Sequence, residues 1–274
     1  MRTRLAALVR SMSPWLRYSA AVAAASVLAY IVSVQFWAWR AGRTGGLVFG
    51  IAASALFVNA GLYPWRRRWR ARPLGTAQRW LQLHIYGSVV AMLFVFLHTG
   101  FRLPVGTMGW LLLVLSGWTT ATGLFGVWLQ RVVPILLARR VSVEAIRERI
   151  PELVDQLLKE ADAVMVGAAA PLAGAYAGSV RPLLTAPKGQ LVWLGGVDTA
   201  GASAMSVLSG LRPLVTAVDK DRFADLESIV RDKNDLDAQF SLQRLLRVWL
   251  VVHVPPAMVL LGLLVVHILA VVWL

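Results

Sequence analysis

The stretch LHIYGSVVAMLFVFLHTGFR, Leu83 to Arg102, decides the fold. It is apolar enough for a membrane helix, yet it carries His84 and His98, fourteen residues apart. A second stretch, VHVPPAMVLLGLLVVHIL (Val252–Leu269), repeats the pattern with His253 and His267, again fourteen apart. These are the only four histidines in the 274 residues. An ionisable side chain inside an apolar span is costly and marks function more often than packing. A single such histidine reads as a packed polar group or a proton relay, but two pairs with one spacing do not.

Around these stretches the chain is a membrane protein. Its residues are 58% hydrophobic, its mean hydropathy is +0.64, and several runs approach the ~20 apolar residues that cross a bilayer core. Five spans are expected, at about 14–39, 45–63, 80–101, 107–137 and 245–274. The fold class is an all-α polytopic bundle with a helical insert between spans four and five. The expected division is 1–137, 138–243 and 244–274. No short apolar core with a small-residue cleavage site opens the chain, so the first span is expected to be retained.

The net charge of +14 does not point to nucleic acid, because the arginines cluster at span ends, as in YPWRRRWRAR (Tyr63–Arg72). Six basic residues follow span two, from Arg66 to Arg79, whereas the two loops on the opposite side hold Arg40, Arg43 and Arg102. The positive-inside rule then puts the N-terminus in the cytoplasm and the C-terminus outside. The insert holds all fourteen acidic residues and is expected on the cytoplasmic side. Ser142 is its candidate first cap, Pro151 opens or divides its first helix, and 167–217 reads as an irregular tip with a strand at 189–196. No nucleotide-binding glycine fingerprint is present. With no cysteine, disulfides, iron–sulfur ligation by this chain and covalent haem attachment are excluded.

Fourteen residues are about four helical turns, roughly 21 Å of rise, and return the second imidazole to within about 40° of the first. Each pair therefore lies on one helix face at two depths, too far apart to share a metal. Spans three and five run in the same direction, so His84 meets His253 at the cytoplasmic depth and His98 meets His267 at the outer one. Two imidazoles on opposite sides of a macrocycle make a six-coordinate haem iron. Four ligands, two haem b groups and no spare histidine close the count. Gly87, three residues after His84, is a candidate for clearing the macrocycle; its plain alternative is helix packing. Arg102 at one depth, and Arg79 and Arg247 at the other, are candidate partners for haem propionates, or else ordinary interfacial arginines.

The H-x13-H pattern on two helices, with HTGFRLP, LSGWTTATGLFG and RLLRVWLVVHVPPAMVLLGLLVVHILA, resembles the di-haem b-type membrane cytochromes. These include the cytochrome b of quinol–cytochrome c oxidoreductases, ferric-reductase-like transmembrane domains and bacterial cytochrome b subunits of multi-component redox complexes. The resemblance covers about 78–137 and 221–274. It implies that His84, His98, His253 and His267 are axial ligands and that the location is a bacterial inner membrane. It also implies electron transfer between a quinone pool and an iron–sulfur or c-type cytochrome partner, with quinone as a further candidate ligand. No flavin or nicotinamide domain follows the fifth span, and the quinol-site motif is not found, so a subunit is expected rather than a complete enzyme. The rivals are a self-contained ferric or quinone reductase, and a non-redox protein using the histidines as a proton relay.

Overall fold

Helix α3 (Ala77–Thr99), which carries His84 and His98, has its ends written locally. Thr76 opens it by accepting the Arg79 backbone N–H at 3.3 Å on its side-chain oxygen, satisfying one of the donors a helix start leaves bare. Gly100 closes it at φ +62°. There the Gly100 N–H reaches Leu97 O and the Phe101 N–H reaches Phe96 O, which uses up carbonyls the last turn cannot pair. The computed structural model describes residues 13–36, 39–68, 75–138, 149–185 and 199–273. Among these the protein is all-α, with five helices long and apolar enough to cross a membrane. It is a multi-pass membrane protein.

The chain divides into two compact units, Met1–Val127 with Leu250–Leu274, and Trp128–Trp249. The first unit contains α1 (Pro14–Phe36), α2 (Thr44–Arg68), α3, most of α4 (Thr107–Ala138) and the end of α9 (Lys220–Trp273). Helix α3 buries Gly87, Val90, Ala91, Phe94 and Leu97, a three-to-four-residue periodicity that makes one stripe. The stripe packs on Ala53, Phe49 and Leu56 of α2. In lipid no hydrophobic force draws helices together, so small residues such as Ala53, Gly87 and Ala91 let backbones approach for van der Waals contact. Trp39 fastens the α1–α2 connection to the end of α3 by donating its indole N–H to Leu97 O at 2.8 Å. Side chains at Gly45 and Gly100 would each sit 2.7 Å from its ring.

Helix α2 continues to Arg68 through Pro64, past the expected end at residue 63. Helix α9 runs unbroken through Pro255 and Pro256. A buried apolar layer of Phe57, Ala91, Leu260 and Leu264, with Leu112 and Leu115 against it, lies inside this unit. Ala91 is seven residues from both histidines of α3, and Leu260 seven from both histidines of α9.

The second unit is a small helical domain. Pro151 sits in the first turn of α5 (Ile150–Val164), where its missing N–H costs nothing. Then come α6 (Ala170–Ala175), a π-helical turn at Tyr176–Val180, α7 (Arg181–Thr185) and α8 (Thr199–Leu211). The segment expected to be irregular is thus helical in its described part. Pro171 stands at the start of α6, and the apolar residues Leu172, Leu184 and Leu208 are needed in a core with Phe223 and Leu226. The expected strand at 189–196 and the cap at Ser142 lie outside the described residues. The π turn brings Tyr176 and Arg181 onto one carboxylate. Tyr176 donates to Asp162 Oδ1 at 2.7 Å, while Arg181 donates Nε to Oδ1 at 2.9 Å and Nη2 to Oδ2 at 3.1 Å.

Candidate functional site

The four histidines form two tiers in the first unit. In the first tier the rings of His84 and His253 are neighbours with centroids 6.3 Å apart and planes crossed at 78°, an edge-on arrangement. The second tier is His98 of α3 with His267 of α9, each fourteen residues on from its first-tier partner. Parallel α3 and α9 segments with equal histidine spacing make this pairing inevitable once the two helices are neighbours.

Three of the rings are tied by Nδ1. His84 Nδ1 lies 3.0 Å from Ala60 O, and His98 Nδ1 lies 2.8 Å from Gly46 O. A carbonyl only accepts, so Nδ1 carries the proton in both rings and Nε2 keeps its lone pair. Both acceptors are on α2, and they too are fourteen residues apart, so antiparallel α2 offers one carbonyl to each tier. His253 Nδ1 lies 3.0 Å from Thr122 Oγ1. The Thr122 hydroxyl donates to Trp118 O at 2.8 Å, which leaves its lone pairs to accept the His253 Nδ1–H. Such partners orient a metal-binding histidine and raise its basicity. Tyr63 packs beside His84, with ring centroids 5.4 Å apart.

Space is cleared at both tiers. A side chain at Gly50 would meet His98 Nδ1 at 2.7 Å, and one at Gly123 would meet His253 Cε1 at 3.3 Å. Between the first-tier rings is a cavity of about 30 Å³, walled by Ser88, Thr119, Thr120 and Gly123 as well as the two histidines. The Thr120 hydroxyl is buried and has no hydrogen-bond partner among the described residues. The backbones of α2 and α3 pack closely.

These features decide which group fits. Among the described residues, no cluster of three or more metal-ligating side chains exists, so neither tier offers a bare ion the roughly four donors of a closed protein site. A macrocycle brings its own equatorial nitrogens and asks the protein for two axial ones. Two imidazoles bonded to one metal from opposite sides at about 2.0 Å each put their ring centroids about 6 Å apart, the spacing seen between His84 and His253. The spacing of the first-tier imidazoles is what the axial positions of a haem would ask for. The cavity has room for about one water, and a macrocycle there would require Ile85, Val89 and Leu124, which also wall it, to move.

The remaining sequence candidates fall elsewhere. Gly87 faces Leu56 and Leu83 at 3.6 Å and serves the α2–α3 contact, because its stripe points to α2 and away from the cavity. Arg79 and Arg102 are exposed at the two ends of α3. Arg247 belongs to the second unit. Sequence reading missed Gly46, Gly50, Ala60, Trp118 and Thr122. Backbone acceptors carry no side-chain signature, but Gly46 and Gly50 spaced by one turn on α2 were a visible sign of close approach.

The fold and the tiers define a class, a multi-pass all-α membrane protein with stacked histidine pairs inside its bundle, three of whose four rings are held by Nδ1. Comparison with protein-family models, with characterised proteins and with solved structures returned no match.

Proposed function

We propose that the chain is a di-haem b-type membrane cytochrome subunit, in which His84 and His253 hold one haem b and His98 and His267 hold the other. The observation that carries this is the first tier, two neighbouring imidazoles with centroids 6.3 Å apart and both Nδ1 atoms engaged. A bound haem iron takes up and releases one electron at a time, at a potential set by ligation, hydrogen bonding and burial. The chain's part is to orient the rings, keep water out and set the distance between tiers, about 21 Å along the helices. A proton relay is disfavoured by the same geometry. A relay needs its imidazoles to exchange tautomers, and the carbonyls of Ala60 and Gly46 hold the Nδ1 protons of His84 and His98. The layer between tiers is apolar as well, and the nearby Ser116 hydroxyl is bonded to Leu112 O at 2.6 Å.

The arginine distribution supports a cytoplasmic N-terminus with the first tier on that side. The resemblance to bacterial subunits supports an inner-membrane location and electron passage between the quinone pool and an iron–sulfur or c-type cytochrome partner. The test is an oxidised and dithionite-reduced spectrum with haem-to-chain stoichiometry. Two haems with a b-type reduced band are expected. His98→Ala and His267→Ala should each remove the same one, and His84→Ala and His253→Ala the other. A colourless chain prepared with haem in excess would refute the proposal.

A further inference from the structure

The first tier rests on two carbonyls that proline has released. In a helix the carbonyl of residue i accepts the N–H of residue i+4, and proline has no N–H to give. Pro64 lies inside α2, so Ala60 O has no helical donor. Ala60 O is the atom that takes His84 Nδ1, at 3.0 Å. Pro256 lies inside α9, so Val252 O has none either. That carbonyl accepts the Trp118 indole N–H of α4 at 3.1 Å. One turn along α4 from Trp118, Thr122 holds the neighbouring His253 through Nδ1 at 3.0 Å. In lipid a carbonyl without a donor is costly, so each vacancy draws in the nearest side-chain N–H. In α2 that donor is the ligand itself. In α9 it is the residue that seats the ligand's holder.

We infer that Pro64 and Pro256 are positioning residues of the first tier, each freeing the carbonyl that fixes one of its two histidines, an inference that rests on the haem assignment above. The second tier uses no such device. Gly46 O, which takes His98 Nδ1, has Gly50 rather than a proline four residues on.

The experiment replaces each proline with alanine in the full chain. Pro64→Ala returns an N–H to Ala60 O in competition with His84, and Pro256→Ala returns one to Val252 O in competition with Trp118. Alanine is far better than proline inside a helix, so a purely structural role predicts an equally or more stable protein with unchanged redox properties. The expected result is different. Haem content stays at two, but the midpoint potential of one haem rises and its low-spin electron paramagnetic resonance signal moves, while the other haem keeps both. The potential rises because a weaker bond at Nδ1 makes the imidazole a poorer donor to oxidised iron. Trp118→Phe should move the same haem in the parent chain and have little further effect in the Pro256→Ala chain, because the bond it removes is already contested there. Unchanged potentials and signals in both proline variants, or equal movement of both haems, would overturn the inference and leave the haem assignment standing. A parent chain without haem would remove both.

Discussion

Gly50→Ala should empty the second tier and spare the first. Gly50 lies one turn along α2 from Gly46, whose carbonyl holds His98 Nδ1 at 2.8 Å. An added Cβ at Gly50 would stand 2.7 Å from His98 Nδ1, so an ordinary contact of 3.4 Å requires the ring to retreat by about 0.7 Å. Metal–ligand bonds hold their length to within about 0.2 Å, so a ring displaced that far cannot keep an axial bond without dragging α3 with it. Losing the Nδ1 hydrogen bond costs about 1 kcal/mol, and overpacking a filled contact costs about 1–3 kcal/mol. Together, roughly 2–4 kcal/mol corresponds to a 30- to 700-fold loss of affinity at that tier. The assay is haem-to-chain stoichiometry with an optical redox titration, which should fall from two haems to one and lose one of two redox transitions. Gly262→Ala is the control, because no atom lies within 4 Å of a Cβ there. A Gly50→Ala protein that keeps two haems at their original potentials would refute the reasoning.

Two further outcomes concern the second unit. Hydrogen bonds from Arg181 and Tyr176, with the Arg181 charge, hold the Asp162 carboxyl below its ordinary value of 3.8. A depressed carboxylate stabilises the fold above its unfolded pKa and loses that stabilisation as pH falls through the folded one. Amide protection over 150–185 should therefore weaken below about pH 4, and Asp162→Asn should lower it at pH 7 and flatten that dependence; equal acid sensitivity in the variant would contradict this. Leu226 is fully buried among Phe223, Ile229 and the α5–α8 apolar residues, so Leu226→Ala should cost about 2–5 kcal/mol, read as lost amide protection across this unit.

Some features were written in the chain because they are local. Hydropathy needs only a count over about 20 residues, and helical placement of His84 with His98, and of His253 with His267, needs only the 3.6-residue repeat. The five spans, the all-α class and the two histidine depths follow from those alone. The ends of α3 were equally local, since Thr76 and Gly100 act on backbone within a turn.

Tertiary structure decided which neighbour each histidine would find. That α2 would present Ala60 O and Gly46 O to α3 depends on the register of two antiparallel helices, and no span carries that register in its own composition. Thr122 is one of several hydroxyls on α4, and only packing sets its Oγ1 against His253 Nδ1. Gly87 has two readings in the sequence, macrocycle clearance or helix packing, and its face meets Leu56 of α2. Pro64 and Pro256 lie between these cases. Their missing N–H groups are certain from the sequence, but what fills the vacancy depends on which side chain packing brings within about 3 Å.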